Sequence, residues 1–267
     1  MPQETLLAAV WLALLWLAEA TIPMVEGYEK RVPHALANLA IGILNAVVTS
    51  LLLAGGALAV TEWARVHGFG LLHMVRLPEV AMWIAAILLM DLWQYTWHRI
   101  NHRIPLLWRF HAVHHSDAEM DATSGVRFHT VEILLSGVAR LAVLPLLGLT
   151  IPQLALYETL ALPVILFHHS NIRLAPTADR LLRAVIVTPA MHRVHHSRWQ
   201  PETDSNYSSL FSFWDRFLGS FRLRDDPAEI ALGLDGYEES EWRELPGMLR
   251  SPFRKRRRPG EETPSEE

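Results

Sequence analysis

The stretch from residue 79 to residue 115, EVAMWIAAILLMDLWQYTWHRINHRIPLLWRFHAVHH, decides the fold of this chain. Its first part, residues 79 to 97, could cross a bilayer, because about 20 largely apolar residues span the hydrocarbon core. Histidines follow at once, at His98, His102, His111, His114 and His115. The stretch therefore predicts a membrane helix that carries metal-binding side chains out of the bilayer.

Four other apolar stretches support a membrane fold, namely residues 5–22, 35–60, 131–149 and 152–167. The first has no basic residue before it and no cleavage signature before Pro23, so we expect a retained helix rather than a signal peptide. The last two predict a helical hairpin, re-entrant or spanning, which prolines interrupt. We expect an all-α integral membrane protein with four to five transmembrane or re-entrant helices and a helical metal-binding domain at the cytoplasmic face.

The composition of the 267 residues agrees with a membrane protein, since 51% are hydrophobic and only 19% are charged. Cysteine is absent, which excludes disulfides, thiolate metal sites and cysteine nucleophiles, so any metal must be held by nitrogen or oxygen. The net charge of −4 argues against nucleic acid as a partner.

Three regions are predicted along the chain: an N-terminal transmembrane region (1–78), a catalytic region (79–250) and a disordered charged tail (251–267). The basic run at residues 254–258 could belong to a nuclear or nucleic-acid signal. Beside several membrane spans we favour a cytoplasmic anchor on anionic lipid. The histidine clusters and the C terminus would then face the cytoplasm.

Eight of the 14 histidines fall into three tight groups: His98 with His102, His111 with His114 and His115, and His192 with His195 and His196. Residues three and four apart share one face of a helix, so each group can aim its imidazoles at one point. Eight imidazoles exceed the need of one metal ion, which predicts two.

Other metal and nucleophile motifs are missing or weaker. The chain has no His-Glu-x-x-His and no Glu-x-x-His, which argues against a zinc metalloprotease and a ferritin-like site. His115-Ser-Asp117 matches half of a facial triad but overlaps the stronger histidine motif. No nucleotide-binding loop and no Gly-x-Ser-x-Gly elbow is present.

Asp91 and Tyr95 lie on one helical stripe with His98 and His102. An ionisable residue within a span is a functional hypothesis by default. We expect Asp91 and Tyr95 to serve catalysis, with Asp91 accepting the second ring N–H of a ligand. Alternatively, Asp91 lies at the aqueous interface.

From about residue 87 to residue 222 the chain resembles the fatty acid hydroxylase, or sterol desaturase, superfamily of membrane di-iron enzymes. The motifs that carry the resemblance are DLWQYTWHRINH, LLWRFHAVHHS, RFHTVE, FHHSN, TPAMHRVHHS and NYSSLFSFWDRFLGSF. The resemblance implies two non-haem irons, with O2 as co-substrate. It departs where Ser208 stands for an expected glycine, which affects substrate geometry more than the metal.

The resemblance also assigns the site residues. The implied ligands are His98, His102, His111, His114, His115, His192, His195 and His196, with His169 as a further ligand. His129 matches a ligand or near-ligand position, Asn171 is expected to serve catalysis near the metal, and His168 is expected beside the ligands.

The implied activity is O2-dependent hydroxylation, desaturation or ether cleavage of a lipid. From the compact form of the chain we expect a bacterial inner membrane. No flavin, nicotinamide or haem motif is present, so a separate donor is expected to supply electrons, either a ferredoxin or a cytochrome b5-like protein with its reductase. Two rivals remain open: a membrane metal-binding or transport protein, and a zinc-dependent lipid hydrolase. A transporter should carry its ligands at mid-bilayer on broken helices, whereas these histidines follow the spans.

Overall fold

The structure is a computed structural model that describes residues 3–28, 30–237 and 240–254. Its helices are α1 (Gln3–Thr21), α2 (Arg31–His67), α3 (Leu71–Met74), α4 (Glu79–Arg103), α5 (Pro105–His115), α6 (Thr130–Leu147), α7 (Ile151–His169), α8 (Pro176–Leu182), α9 (Pro189–His195), α10 (Gln200–Thr203), α11 (Phe213–Phe217) and α12 (Leu245–Arg250). The described ranges contain isolated β-bridges but no strand. The all-α prediction is confirmed.

Four helical segments are long and apolar enough to cross a membrane: Arg31–Met74, Glu79–Arg103, Thr130–Leu147 and Ile151–His169. The membrane prediction is thereby confirmed. The apolar helix Ala8–Thr21 is shorter. Both helices of the predicted hairpin run through their inner prolines, Pro145 and Pro163, without ending, which membrane helices tolerate because neighbours satisfy the freed backbone groups.

One end of this helical bundle carries a polar cap. The end of α4, the end of α7 and the starts of α2 and α6 meet there, and α5 and α9 pack onto them. At the other end, Gly70 and Gly148 have positive φ angles and touch, so that α6 ends against the end of α2. The histidine motifs therefore lie together at the capped end.

Small residues bring α2 and α6 close together. A Cβ atom at Gly137 would collide with the side chain of Leu53, and one at Gly56 would lie 3.0 Å from Leu141. The other faces of these two helices turn toward α4 and α7 and leave a slot between the four helices.

The start of the predicted tail is ordered. Residues Ser251–Phe253 form a 3-10 turn, and the Phe253 ring lies 5.8 Å from that of Phe110 on α5. Residues 255–267, which hold most of the predicted tail and its basic run, lie outside the described residues. The three-region division stays a prediction.

Candidate metal centre

Two prolines set the helices that present the histidines. Pro105 starts α5 directly after α4 ends, and Pro189 starts α9, both at helix positions where proline is preorganised and loses no hydrogen bond. The three and four-residue spacings then turn the imidazoles of α5 and α9 inward, where His111, His114, His115, His192 and His195 are all buried.

The histidines form two groups. The first group contains His98, His102, His111, His115 and His195, and the second contains His114, His169, His192 and His196. Within each group, one nitrogen per ring lies within 4.8 Å of all the others. The groups are neighbours, because the His115 and His196 rings stack at 4.5 Å. The structure thus brings together nine of the ten histidines predicted as ligands.

The spacing of the ring nitrogens suits a shared metal ion. His98 and His195 bring their Nε2 atoms to 3.1 Å in the first group. In the second, Nε2 of His169 lies 3.2 Å from that of His114 and 3.0 Å from that of His192. With metal–nitrogen bonds of about 2.1 Å, neighbouring ligand nitrogens lie about 3.0–3.4 Å apart, from octahedral to tetrahedral geometry.

The opposite ring nitrogens are held by the protein. Nδ1 of His98, His195 and His169 lies 2.7–2.8 Å from the carbonyl oxygens of Tyr207, Ser205 and Ile165, respectively. A carbonyl can only accept, so each Nδ1 donates its proton and each Nε2 presents a lone pair to the centre. This is how proteins orient metal-binding histidines.

The unpaired nitrogens test whether metal fits. Among the described residues, Nε2 of His102, His111 and His115 is buried without a hydrogen-bond partner. Leaving buried polar atoms unpaired is costly, and a metal ion would satisfy them. An all-nitrogen donor set matches a borderline metal such as iron or zinc. The residues therefore fit a two-metal site.

The electrostatics favour neutral imidazoles, the form that binds metal. Burial, and then the neighbouring imidazoles, lower the pKa of His114, His115 and His192 well below the ordinary 6.5. Burial lowers the pKa of His195 to about 3, although the Ser205 carbonyl raises it. The site resists protonation in the folded state.

These lowered pKa values predict acid sensitivity of the metal-free protein. In the unfolded chain the same histidines regain a pKa of about 6.5 and bind more protons than the folded chain at lower pH. The contribution of these histidines to the free energy of unfolding should be complete above about pH 6.5. It should decrease as the pH falls below that value. Thermal unfolding of metal-free protein in detergent checks this: a melting temperature equal at pH 7.5 and pH 5 would contradict it.

His129 lies outside both groups. Its Nδ1 accepts the backbone N–H of Val131 at 3.1 Å, which caps α6, and its Nε2 lies 3.2 Å from the Leu249 carbonyl oxygen. Because both ring nitrogens have partners, we leave His129 out of the proposed ligand set. His168, expected beside the ligands, packs its ring 4.0 Å from that of His192.

Asp91 does not contact either histidine group. Its buried carboxylate accepts four hydrogen bonds, from the backbone N–H groups of Leu210 and Phe211, the indole of Trp214 and the hydroxyl of Tyr157, at 2.9–3.3 Å. It therefore fastens the segment of residues 210–214 to α4. The same segment continues back to Tyr207 and Ser205, whose carbonyls orient two histidines, so we expect Asp91 to act as a positioning residue.

Tyr95 and Asn171 also contact protein rather than the histidine nitrogens that face the two centres. The Tyr95 hydroxyl lies 2.7 Å from that of Ser220. The Asn171 side chain joins the backbone N–H and carbonyl of Val25 at 2.9 and 2.7 Å. The structure thus places both predicted catalytic side chains in the surrounding framework.

Glu132 is the site residue that the sequence analysis missed. Its Oε1 lies 2.7 Å from Nδ1 of His111, and the residue is buried. Glu132 stands in the first turn of α6, where a carboxylate is usually read as a helix-dipole partner. Its place in RFHTVE, one turn after His129, was the available signal.

A buried polar network lies next to the C-terminal end of α5. His34 on α2 lies 2.9 Å from Asp117 and 3.0 Å from Asp121. Burial alone would raise the pKa of Asp117, but the His34 ring and the Arg127 guanidinium lower it well below the usual carboxyl range. The network ties α2 to the chain that follows the second histidine motif.

The slot runs between the candidate membrane helices and reaches both histidine groups. It has a volume of about 480 Å³ and lies between α2, α4, α6 and α7. Its walls include Leu53, Trp97, Ile133 and Ile165, and its inner end includes His98 and His192. A mainly apolar cavity with a few polar groups at one end is typical of a ligand site.

Comparison with known proteins identifies the family. Residues 83–220 match the family described as fatty acid hydroxylase. The chain is similar to an ornithine lipid hydroxylase of Rhizobium tropici, 29% identical over 60% of this chain and 47% of that protein. It is also similar to the human alkylglycerol monooxygenase (28% identity, 57% of this chain, 33% of that one) and the human cholesterol 25-hydroxylase (26%, 53% and 52%).

The matched region spans about half or less of the length of these relatives. No solved structure matches the chain. The family match covers more than half of the sequence and contains all nine grouped histidines. The chain belongs to the fatty acid hydroxylase family.

Proposed function

We propose that this protein is a membrane-bound di-iron oxidoreductase that uses O2 and external electrons to hydroxylate, desaturate or oxidatively cleave a lipid. The observation that supports this most is the slot between membrane helices, because it ends at both histidine groups. The relatives support a lipid substrate, since their names specify an ornithine lipid, an alkylglycerol and cholesterol.

Bound iron would supply the redox chemistry, namely O2 reduction and removal of hydrogen from an unactivated C–H bond. The ligand set we propose is His98, His102, His111, His115 and His195 for one iron, and His114, His169, His192 and His196 for the other. The backbone carbonyls and Glu132 keep the imidazoles oriented. The slot excludes water and holds one substrate carbon at its inner end.

We also propose that the metal end faces the cytoplasm of a bacterial inner membrane. Arg99, Arg103 and Arg109 lie at that end, and basic residues favour the cytoplasmic side. Labelling of a cysteine introduced at Trp199, which is 57% exposed, tests this in a chain without cysteine. Labelling from the periplasmic side would contradict it.

The function is tested on purified protein loaded with iron in detergent. We expect about two irons per chain, from the two histidine groups. With ferredoxin and its reductase as donor, isotopically labelled O2 should enter an alkylglycerol, an ornithine lipid or cholesterol, and omission of the donor should stop turnover. Stoichiometric zinc with O2-independent ester hydrolysis would favour the hydrolase instead. Metal transport into vesicles without lipid oxidation would favour a transporter.

Blocking the slot should separate lipid access from metal binding. Ile133 lines the slot beside Glu132, and Ile133→Trp would fill it near the histidines. We expect lipid oxidation to fall at least about tenfold with iron content unchanged, because a substrate carbon displaced by even 1 Å loses much of its reactivity. Leu135→Trp on the outer side of α6, where Leu135 is 37% exposed, is the matched control. Equal activity in both variants would show that lipid does not enter this way.

A further inference from the structure

An ion pair joins two candidate membrane helices on the wall of the slot. Arg140 on α6 places its Nη1 2.7 Å from Oε1 of Glu158 on α7, and both residues line the slot. Arg140 lies about 12 Å along α6 from Glu132, and Glu158 about 16 Å along α7 from His169, at 1.5 Å per residue. The pair is therefore well separated from the metal end.

The pair lies near the middle of both helices. Arg140 is flanked by ten residues of α6 before it and seven after it, and Glu158 has a similar place in α7. Charged side chains at such depth are costly and usually functional. Apolar side chains could join the two helices without that cost, because a well-packed apolar replacement of an ion pair is often neutral or stabilising.

The pair, which lines the slot, has hydrogen-bonding capacity that its own contact does not use. Within the described part of the chain, it makes one hydrogen bond, and the side chains of Arg140 and Glu158 are 31% and 54% exposed. The guanidinium has further N–H donors, and Oε2 of Glu158 is a free acceptor. A ligand group that can both accept and donate a hydrogen bond would engage the N–H donors of Arg140 and Oε2 of Glu158 together.

The net charge of the ion pair determines which class of ligand group it can bind. The pair is neutral as a whole, so a hydroxyl can accept from Arg140 and donate to Glu158 without displacing either. A ligand carboxylate would compete with Glu158 for Arg140, and an amine would compete with Arg140 for Glu158. A plain hydrocarbon would gain nothing from the pair.

We propose that the slot takes a neutral lipid bearing a hydroxyl, which binds the Arg140–Glu158 pair about 12–16 Å from the metal end. Between the two sites the lipid contacts Leu53, Leu162 and Ile165. The pair then fixes which carbon lies at the metal end, because the distance to the hydroxyl is set. The inference rests on the proposed function in taking the slot as the substrate site.

Binding to the full chain in detergent, before iron loading, tests the proposal. Tritiated hexadecanol is displaced with unlabelled hexadecanol, hexadecane, palmitate or hexadecylamine. We expect hexadecanol to bind about tenfold more tightly than hexadecane, since two added hydrogen bonds contribute a factor of this order. Equal binding of the alcohol and the alkane, or preference for palmitate or the amine, would overturn the hydroxyl assignment.

The double variant Arg140→Met/Glu158→Leu tests whether the ion pair causes the preference for hexadecanol. We expect its preference for hexadecanol to fall below about twofold, the range left once the hydrogen bonds are lost, with metal binding retained. The control is Glu62→Leu/Arg65→Met, which removes an ion pair on α2 that does not line the slot. Full preference in the first double variant would show that the pair only joins α6 and α7.

Oxidation by iron-loaded protein separates this proposal from the proposed function. Wild type should oxidise hexadecanol at a narrow set of carbons, and the Arg140→Met/Glu158→Leu variant at a broader set. A hydroxyl preference without any oxidation would contradict the proposed function alone. Oxidation with equal binding of alcohol and alkane would contradict the hydroxyl site alone.

Discussion

Replacing His195 or His114 with alanine is expected to abolish lipid oxidation and to lower iron content from about two to about one per chain. Each substitution removes an imidazole from a different histidine group. The loss should exceed the 10–100-fold caused by changing only the partner of a ligand. Iron analysis and O2-dependent product formation on the same purified samples check it.

The control for this prediction is His129→Ala. His129 is also a buried histidine near the site, but it caps α6 and lies outside both groups. We expect it to retain two irons, with a moderate loss of stability of about 1 kcal/mol from the missing cap. Unchanged turnover in His195→Ala or His114→Ala, or loss of one iron in His129→Ala, would overturn the proposed ligand set.

Replacing Asp91 with alanine is expected to destabilise the protein strongly. Four donors, from Leu210, Phe211, Trp214 and Tyr157, would lose their common acceptor. A buried donor without a partner costs about 1–3 kcal/mol, so the free energy of unfolding should fall by about 4 kcal/mol or more. Thermal unfolding in detergent should show a melting temperature lower by about 10 °C or more.

Asp91→Asn distinguishes a positioning role from a catalytic one. Asparagine keeps one acceptor oxygen, so we expect an intermediate melting temperature and nearly normal iron content and turnover at low temperature. A catalytic carboxylate would behave differently, with wild-type stability and lost turnover. That result would contradict the positioning role.

The sequence predicts most of the fold, because membrane helices and histidine spacings are local patterns. The stretch 79–115 is sufficient to predict a span followed by a second helix rich in histidine, and α4 and α5 confirm these helices. The hairpin prolines were more ambiguous, since the sequence does not show which neighbours satisfy the freed backbone. Helices α6 and α7 continue through them.

The site was less predictable, because the division of the histidines into two groups depends on three-dimensional contacts. Adjacent His114 and His115 join different groups, and so do His195 and His196, which a shared motif does not reveal. The helical stripe through Asp91 suggested contact with the ligands. The carboxylate instead accepts hydrogen bonds from a segment more than 100 residues later in the chain. Backbone carbonyls that orient imidazoles leave no side-chain signature at all.

The histidine groups join parts of the chain that are far apart in sequence. His98 and His195, for example, are separated by 97 residues, and no cysteine is available to make such a link covalently. Metal binding to ligands brought together by folding contributes directly to folding free energy. If the proposed irons bind there, metal-free protein would keep its long helices in the bilayer, but α9 and its neighbours would lose the two metal ions as cross-links. The lifetime of this protein in a cell would then follow the supply of metal, with iron starvation exposing the cap to proteases.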